Sequence, residues 1–218
     1  MEYTFHWRPV FRKLPDLLEA GLLTLEVAVE AMLIGIVLGL ALAMIRMSGR
    51  RSISWFAISW VEIARNTPAL LQLFFFGFGL GAFGIHLSPF LICLCALSFN
   101  NAGYLAENFR GGFQAVPDTQ VKAARSLGMT YWQDMRYVVW PIGLRAVLPA
   151  WAGVALGVLK DSALVSVLGY VELLRASQIL ITRTQEPFLI LTVVGMFYFA
   201  LSFPISRATA RLESRWQQ

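Results

Sequence analysis

Charged side chains are scarce in this sequence. Only 14% of its 218 residues are Asp, Glu, Lys or Arg, whereas 57% are hydrophobic. Soluble domains usually carry about a quarter charged residues, and a water-soluble core of this size could not bury so much apolar surface. The composition therefore indicates an integral membrane protein, and the length is typical of one domain, residues 1–218.

Cysteine and histidine are also rare. Cys93 and Cys95 lie two residues apart in an apolar run and would point in different directions on a helix. They are predicted to be small packing residues rather than a disulfide or a metal site. His6 and His86 are far apart in the sequence, so no metal-ligand cluster and no catalytic site is expected.

A phosphate-binding loop is missing as well. The pattern G-x-x-x-x-G-K-[ST] does not occur, so no ATP-hydrolysing site and no bound cofactor are expected in this chain. The 18 Lys and Arg residues give a formal net charge of +5. Because they are dispersed between apolar runs rather than clustered, nucleic acid is not an expected partner.

Long apolar runs are what this sequence has in abundance. A membrane-spanning helix needs about 20 mostly apolar residues, and five runs meet that length, at about 21–45, 55–83, 87–109, 147–169 and 187–206. The first is too long for the apolar part of a signal peptide, so it is expected to stay in the membrane. The predicted fold class is therefore all-α, a polytopic membrane protein with five transmembrane helices in contact with lipid.

The basic residues predict how the chain is oriented. Eleven Lys and Arg residues lie in the first loop, in or directly before the long polar loop at about 111–146, and in the C-terminal tail, against five on the other side. Since cytoplasmic loops carry the excess of Lys and Arg, the N-terminus is predicted outside, and the long loop and the C-terminus inside.

Small residues mark one face of the first span. Gly35, Gly39 and Ala43 recur every four residues, a spacing that lets two helix backbones approach closely. The alternative is a chance pair of glycines in an apolar helix.

The segment around Pro68 combines a helix break with a charge. Pro68 removes a backbone donor and disfavours helix at Thr67, and a broken helix at membrane depth is tolerated where it lines a cavity or is buried in protein. Arg65 and the freed backbone groups could hold a carboxylate. Alternatively, Arg65 pairs with Glu62, one turn away.

Polar side chains within the spans form the candidate substrate pathway. An ionisable group there is unfavourable by about 2.5–3.5 kcal/mol or more, so each such residue needs a reason. The alternative to a substrate role is polar contact between helices, and Lys160 would then need a partner from another span. The candidate pathway residues are Arg65, Thr67, Gln72, Asn101, Glu107 and Lys160.

The long loop has the local signals of a helix–turn–helix. Asp118 suits the first turn of a helix, and Gly128 suits the left-handed residue just past its end. Thr130 and Gln133 then have capping-box spacing. The second helix is predicted to end near Trp140, because Pro141 follows it.

The two loop helices are too short to be stable alone. They must therefore pack on the chain's own spans or dock on another protein. Apolar residues between and after the helices would be exposed without a partner, which favours docking. These residues are Leu127, Met129, Tyr131 and Trp132.

At this loop the sequence resembles a known family. The pattern Ala123-Ala124-x-x-x-Gly128, followed by Val138-Val139-Trp140-Pro141, is similar to the EAA loop of binding-protein-dependent ABC importer permeases. In that family the loop couples the permease to the ATP-hydrolysing subunit. Lys122 stands where the family usually has Glu. The resemblance implies a coupling surface made of Lys122, Ala123, Ala124, Leu127, Gly128 and Met129.

The resemblance extends along the chain to the polar amino acid permeases. The motif Glu62-x-x-Arg65-x-Thr67-Pro68-x-x-x-Gln72 is similar to their second span, and Ala102-Gly103-Tyr104-x-Ala106-Glu107-x-x-Arg110 to their third. It implies a bacterial inner-membrane importer, with the glutamate/aspartate subgroup as the best match. It also implies partners: an ATP-binding subunit dimer that holds ATP and Mg²⁺, a second and different permease, and a periplasmic binding protein. From the residues alone, an ion-coupled carrier or channel, or a membrane scaffold, stays open.

Overall fold

The computed structural model describes residues 7–216, and every regular element in that range is helical. His6 lies outside the described residues. Two π-helical turns, Phe75–Gly79 and Met135–Val139, and two 3₁₀ turns, Gly81–Phe83 and Ser162–Leu168, connect longer elements. The ten α-helices are α1 Trp7–Arg12, α2 Leu14–Met47, α3 Arg51–Asn66, α4 Ala69–Phe74, α5 Pro89–Gln114, α6 Asp118–Ser126, α7 Tyr131–Asp134, α8 Trp140–Asp161, α9 Leu173–Thr184 and α10 Pro187–Trp216.

Four helices in the described range are long and apolar enough to cross a membrane. They are Leu14–Met47, Pro89–Gln114, Tyr131–Leu168 and Pro187–Arg211. A fifth span results if the pair Arg51–Asn66 and Ala69–Phe83, bent by 111°, counts as one. The all-α membrane fold predicted from the sequence is thereby confirmed, and the predicted span 55–83 corresponds to the bent pair.

The bend in this pair lies at the proline that predicted it. α3 ends at Asn66, and Thr67 takes extended backbone angles, φ −114° and ψ 143°. Its hydroxyl donates to the Ile63 carbonyl oxygen at 2.7 Å. Thr67 cannot continue the helix because the ring of Pro68 crowds the residue before it.

The end predicted for the second loop helix is wrong. Pro141 does not stop the helix: it is the second residue of α8, and the helical run continues from Tyr131 to Leu168. The π-helical turn Met135–Val139 comes immediately before it. A π turn changes the hydrogen-bond register. Pro141 therefore lies in the first turn of the α-helix that starts again after it, where a missing N–H is tolerated.

The described residues group into two compact units. The first contains residues 7–33, 68–98 and 155–205, and the second contains 34–67, 99–154 and 206–216. Helices α2, α5, α8 and α10 contribute residues to both units. The whole of the polar loop at 111–146 belongs to the second unit.

A buried carboxylate caps a helix of the first unit. Glu172 is fully buried and accepts hydrogen bonds from the backbone N–H groups of Leu174 and Arg175, at 2.8 and 2.7 Å. The Tyr198 hydroxyl donates to it at 3.0 Å. Glu172 therefore caps the N-terminus of α9, while its burial raises the pKa of its carboxyl group.

Close helix packing holds the second unit together. A Cβ atom added at Gly39 would lie 2.7 Å from the Leu105 Cβ and 3.1 Å from the Ala102 carbonyl oxygen. One added at Gly35 would overlap the Asn101 side chain. The packing role predicted for the small-residue face of α2 is thus confirmed, because only glycine lets α2 and α5 approach this closely.

Gly39→Ala is expected to destabilise the protein by about 1–3 kcal/mol, the usual effect of overpacking a tight contact. The matched control is Gly195→Ala in α10, where an added Cβ meets no atom within 4 Å. Thermal unfolding of the detergent-solubilised protein, followed by size-exclusion chromatography, measures both. Equal melting temperatures for the two variants would contradict the packing role.

Candidate functional site

A cluster of charges gathers around Glu107 in the second unit. Glu107, on α5, has a side chain that is only 16% exposed, and Arg46, in the last turn of α2, contacts its Oε1. Arg110 lies one turn further along α5, with its Nη2 atom 2.6 Å from Glu107 Oε2. The Arg65 Nη1 atom is 3.9 Å from the same oxygen. One carboxylate therefore serves three guanidinium groups from three helices.

The cluster carries an excess of positive charge. Three arginines and one glutamate leave a formal excess of two, and the amide oxygen of Gln114, which accepts from Arg110, adds no charge. All four ionised side chains are at least partly shielded from solvent, so their electrostatic interactions are stronger than those of fully exposed pairs. Such a cluster can accommodate a further anion.

Arg65 is the least constrained arginine of the cluster. Its side chain is 41% exposed, its distance to Glu107 exceeds hydrogen-bond length, and its guanidinium carbon lies 5.8 Å from the centre of the Tyr104 ring. In the described part of the chain its recorded ion pair is with Glu107. Glu62, the alternative partner considered from the sequence, instead accepts a hydrogen bond from Asn66 at 2.9 Å.

The structure brings together two of the predicted pathway residues, Arg65 and Glu107. Asn101 is 1% exposed and faces Gly35, so it fills a helix contact. Gln72, which is buried, and Lys160, which is exposed, belong to the first unit. The substrate role of these residues stays a prediction.

The sequence interpretation missed Arg46 and Arg110 as members of this cluster. Both were counted as basic residues that signal membrane orientation, and Arg110 also as part of the third-span motif, but neither was predicted to contact Glu107. Arg110 could have been recognised, because it lies three residues after Glu107 and so shares its helix face. Arg46 could not, because 61 positions separate it from Glu107.

The polar loop forms the helix–turn–helix that its sequence predicted. α6 ends before Gly128, which has a left-handed φ of 81°. Thr130 and Gln133 form a reciprocal capping box: the Thr130 N–H donates to Gln133 Oε1 at 2.8 Å, and the Gln133 N–H donates to Thr130 Oγ1 at 3.4 Å. Arg125 lies 3.7 Å from the buried Asp134, which links α6 to α7.

The predicted coupling residues divide between the surface and the interior of the loop. Leu127 is 80% exposed, and a side chain added at Gly128 would meet open space. Ala124 is only 4% exposed, so it packs within the chain. Lys122 and Ala123 are exposed and Met129 is half-buried. The loop therefore presents an apolar tip with one lysine beside it.

The chain is similar to known transport proteins. Residues 35–218 match the family described as "Binding-protein-dependent transport system inner membrane component". The nopaline transport system permease protein NocM of Agrobacterium fabrum is 33% identical over 208 residues, which cover 91% of this chain and 86% of NocM. The glutamate/aspartate import permease protein GltK of Escherichia coli is 31% identical over 223 residues, covering 98% and 99% of the two chains.

A solved structure extends this similarity to three dimensions. It is described as an amino acid ABC transporter crystallised with histidines. It is 34% identical in sequence, covers 98% of this chain and 100% of its own, and has a TM-score of 0.92. Because the relatives are named for different cargoes, similarity alone does not identify the cargo of this chain.

Proposed function

Because this chain belongs to the binding-protein-dependent transport system inner membrane components, as the permease subunit of an ABC amino acid importer, we propose that its cargo is glutamate or aspartate. The observation that carries this proposal is the cluster around Glu107, with its formal excess of two positive charges. Family membership removes the ion-coupled carrier and the scaffold as alternatives, since the family depends on a binding protein.

The charge of the cargo matches the charge of the cluster. An acidic amino acid carries two carboxylates and one ammonium group, so it is a net anion at neutral pH. Arginine binds carboxylates through two parallel hydrogen bonds, and Arg65 has the exposure to do so. The similarity to GltK over 98% of the chain is in agreement with this cargo.

The exposed tip of the polar loop is proposed to dock on the ATPase. Its contact residues would be Lys122, Ala123, Leu127, Gly128 and Met129, with Ala124 supporting them from inside. The ATP-binding subunit dimer would hold ATP and Mg²⁺, and this chain would bind no cofactor. When the ATPase dimer closes, it would move the loop helices and change the access of the pathway from one side of the membrane to the other.

Two further partners complete the proposed assembly. One is a second permease, a related but different chain, and the other is a periplasmic binding protein that delivers the amino acid. The N-terminus would be periplasmic and the C-terminus cytoplasmic, because Lys and Arg are more numerous in the loops of the side that carries the C-terminus.

Arg65→Ala is expected to raise the KM for glutamate and aspartate uptake by about tenfold or more, since a hydrogen bond to a charged group contributes roughly 1.5–3 kcal/mol. The assay is ATP-dependent uptake of labelled amino acids into proteoliposomes that contain the complex and its binding protein. Assembly should be unchanged, because Arg65 is the most loosely held arginine of the cluster.

The matched control for this variant is Arg145→Ala, which removes an exposed arginine from α8 of the same unit. It should leave uptake unchanged. In the wild type, unlabelled glutamate should inhibit the uptake of labelled glutamate more strongly than glutamine does. Equal inhibition by the two amino acids would contradict an acidic cargo. If Arg65→Ala instead prevents co-purification of the subunits, Arg65 has a structural role.

A further inference from the structure

A second site lies in the same unit, in a groove of about 610 Å³ where α2 ends and the α7–α8 run begins. Its walls are apolar and rich in methionine and tryptophan. They include Met44, Met47, Phe113, Trp132, Met135 and Trp140. Trp132 is 78% exposed and Met44 55%, so nothing in the described chain covers this surface.

The groove lies at the ends of two candidate membrane spans. Met47 is the last residue of the candidate span Leu14–Met47, and Tyr131 is the first residue of the candidate span Tyr131–Leu168. Both residues line the groove. Tryptophan and tyrosine side chains, which line the groove, are enriched where lipid headgroups meet acyl chains.

The charge in the groove has one sign. Arg136 is the one charged residue that lines it, and its guanidinium lies 5.7 Å from the centre of the Tyr137 ring. Arg136 takes part in none of the ion pairs recorded among residues 7–216. The nearby acid, Asp134, is 2% exposed and directed at Arg125. The exposed Arg50 and Arg51 follow α2 closely and add positive charge.

We propose that this groove binds an acidic phospholipid. The phosphate would lie at Arg136, and an acyl chain would lie along the methionine and tryptophan side chains. Basic sites between membrane helices bind acidic lipid headgroups elsewhere, and methionine adapts its shape to a flexible apolar ligand. The tip of the polar loop, at Leu127 and Gly128, is not part of the groove, so a lipid and a docked ATPase could be present together. Tyr131 and Trp132, whose exposure was taken above to favour protein docking, would then contact the lipid instead.

Tryptophan fluorescence tests the proposal on the complex as it is purified. The complex is placed in phosphatidylcholine nanodiscs with increasing amounts of brominated phosphatidylglycerol or, as the neutral equivalent, brominated phosphatidylcholine. The quenching that belongs to the groove is the difference between wild type and the Trp132→Phe/Trp140→Phe variant. This quenching should reach half of its maximum at a fraction of brominated phosphatidylglycerol about fivefold lower than the corresponding fraction of brominated phosphatidylcholine. A preference of about fivefold is what one arginine near the membrane surface is expected to give.

Two arginine variants distinguish a specific lipid-binding site from a general attraction of acidic lipids to positive charge. Arg136→Gln should make the two brominated lipids equivalent, whereas Arg145→Gln, in the same helical run Tyr131–Leu168 but outside the groove, should keep the fivefold preference. Native mass spectrometry of the same preparations should find one more phosphatidylglycerol retained by wild type than by Arg136→Gln. This second readout needs no tryptophan variant.

Three results would overturn the proposal. The first is an equal response of wild type to the two lipids, and the second is an equal loss of preference in Arg136→Gln and Arg145→Gln. The third is the absence of groove quenching by either lipid, which would mean that a protein subunit covers the groove. None of these measurements involves transport, so the outcome is independent of the proposed cargo.

Discussion

Gly128→Asp is expected to reduce ATP-driven uptake by more than about tenfold, because a charge left unpaired in an interface is unfavourable by about 2 kcal/mol or more. Gly128 is exposed, has a left-handed φ of 81° and has open space where a side chain would go. Open space at the tip of the loop would be filled by the ATPase in the docked complex. A carboxylate there would separate the two surfaces and bring an unpaired charge into the contact.

The design must separate docking from backbone strain. Gly49→Asp is the matched control, because Gly49 is also exposed, has a φ of 70° and is surrounded by open space, but lies outside the polar loop. It carries the same strain of roughly 1–2 kcal/mol for a side chain in this conformation. Gly128→Asn adds volume without charge in a residue type that tolerates left-handed angles.

Uptake, ATPase stimulation by loaded binding protein and the amount of permease in the membrane are measured for each variant. We expect Gly128→Asp to insert normally and to lose both activities, and Gly49→Asp to keep them. Gly128→Asn should show an intermediate loss. Normal uptake in Gly128→Asp, or an equal defect in Gly49→Asp, would refute close docking at the tip of the loop.

Glu107→Gln is expected to lower the free energy of unfolding by about 3 kcal/mol. This is the lower end of the range for removing one partner of a buried ion pair, chosen because the three arginines are 24–41% exposed. Without the carboxylate, Arg46, Arg65 and Arg110 would repel one another. The loss should appear as a lower melting temperature of the solubilised complex and less permease in the membrane.

A double variant tests whether the cause is repulsion between arginines. Adding Arg46→Gln to Glu107→Gln should recover part of the lost stability, with a coupling of roughly 0.5–3 kcal/mol, as expected for residues in contact. Glu62→Gln serves as the control, since Glu62 is an exposed carboxylate and its loss should change stability by less than about 0.5 kcal/mol. Strictly additive effects, or equal effects of Glu107→Gln and Glu62→Gln, would contradict the role given to the cluster.

The local structure of the polar loop was predictable because its signals act over a few residues. Thr130 and Gln133 satisfy each other's orphaned backbone donors across three positions. Gly128 meets the need for a left-handed residue after the helix end. The continuation of the second helix past Pro141 was not predictable, because a proline normally ends a helix. The π turn immediately before Pro141 changes the hydrogen-bond register, so the missing N–H of the proline is tolerated.

The candidate site was only half predictable. Arg65 and Glu107 could be singled out, since an ionised group inside an apolar run needs an explanation wherever it occurs. Their meeting could not be foreseen, because they come from different helices that only packing brings side by side. The close approach of α2 to α5 at Gly35 and Gly39 makes that packing possible.

By itself, the sequence determined membrane residence, the helical fold and the capped loop, since apolar length, charge placement and capping are properties of neighbouring residues. The tertiary structure decided which charges meet. Arg46 contacts Glu107 although 61 positions separate them in the sequence. Arg136 lines the same groove as Met44, which lies near the C-terminal end of α2. Both contacts depend on how whole helices pack against one another, and that packing is determined by the shape and burial of side chains that are distant in the sequence.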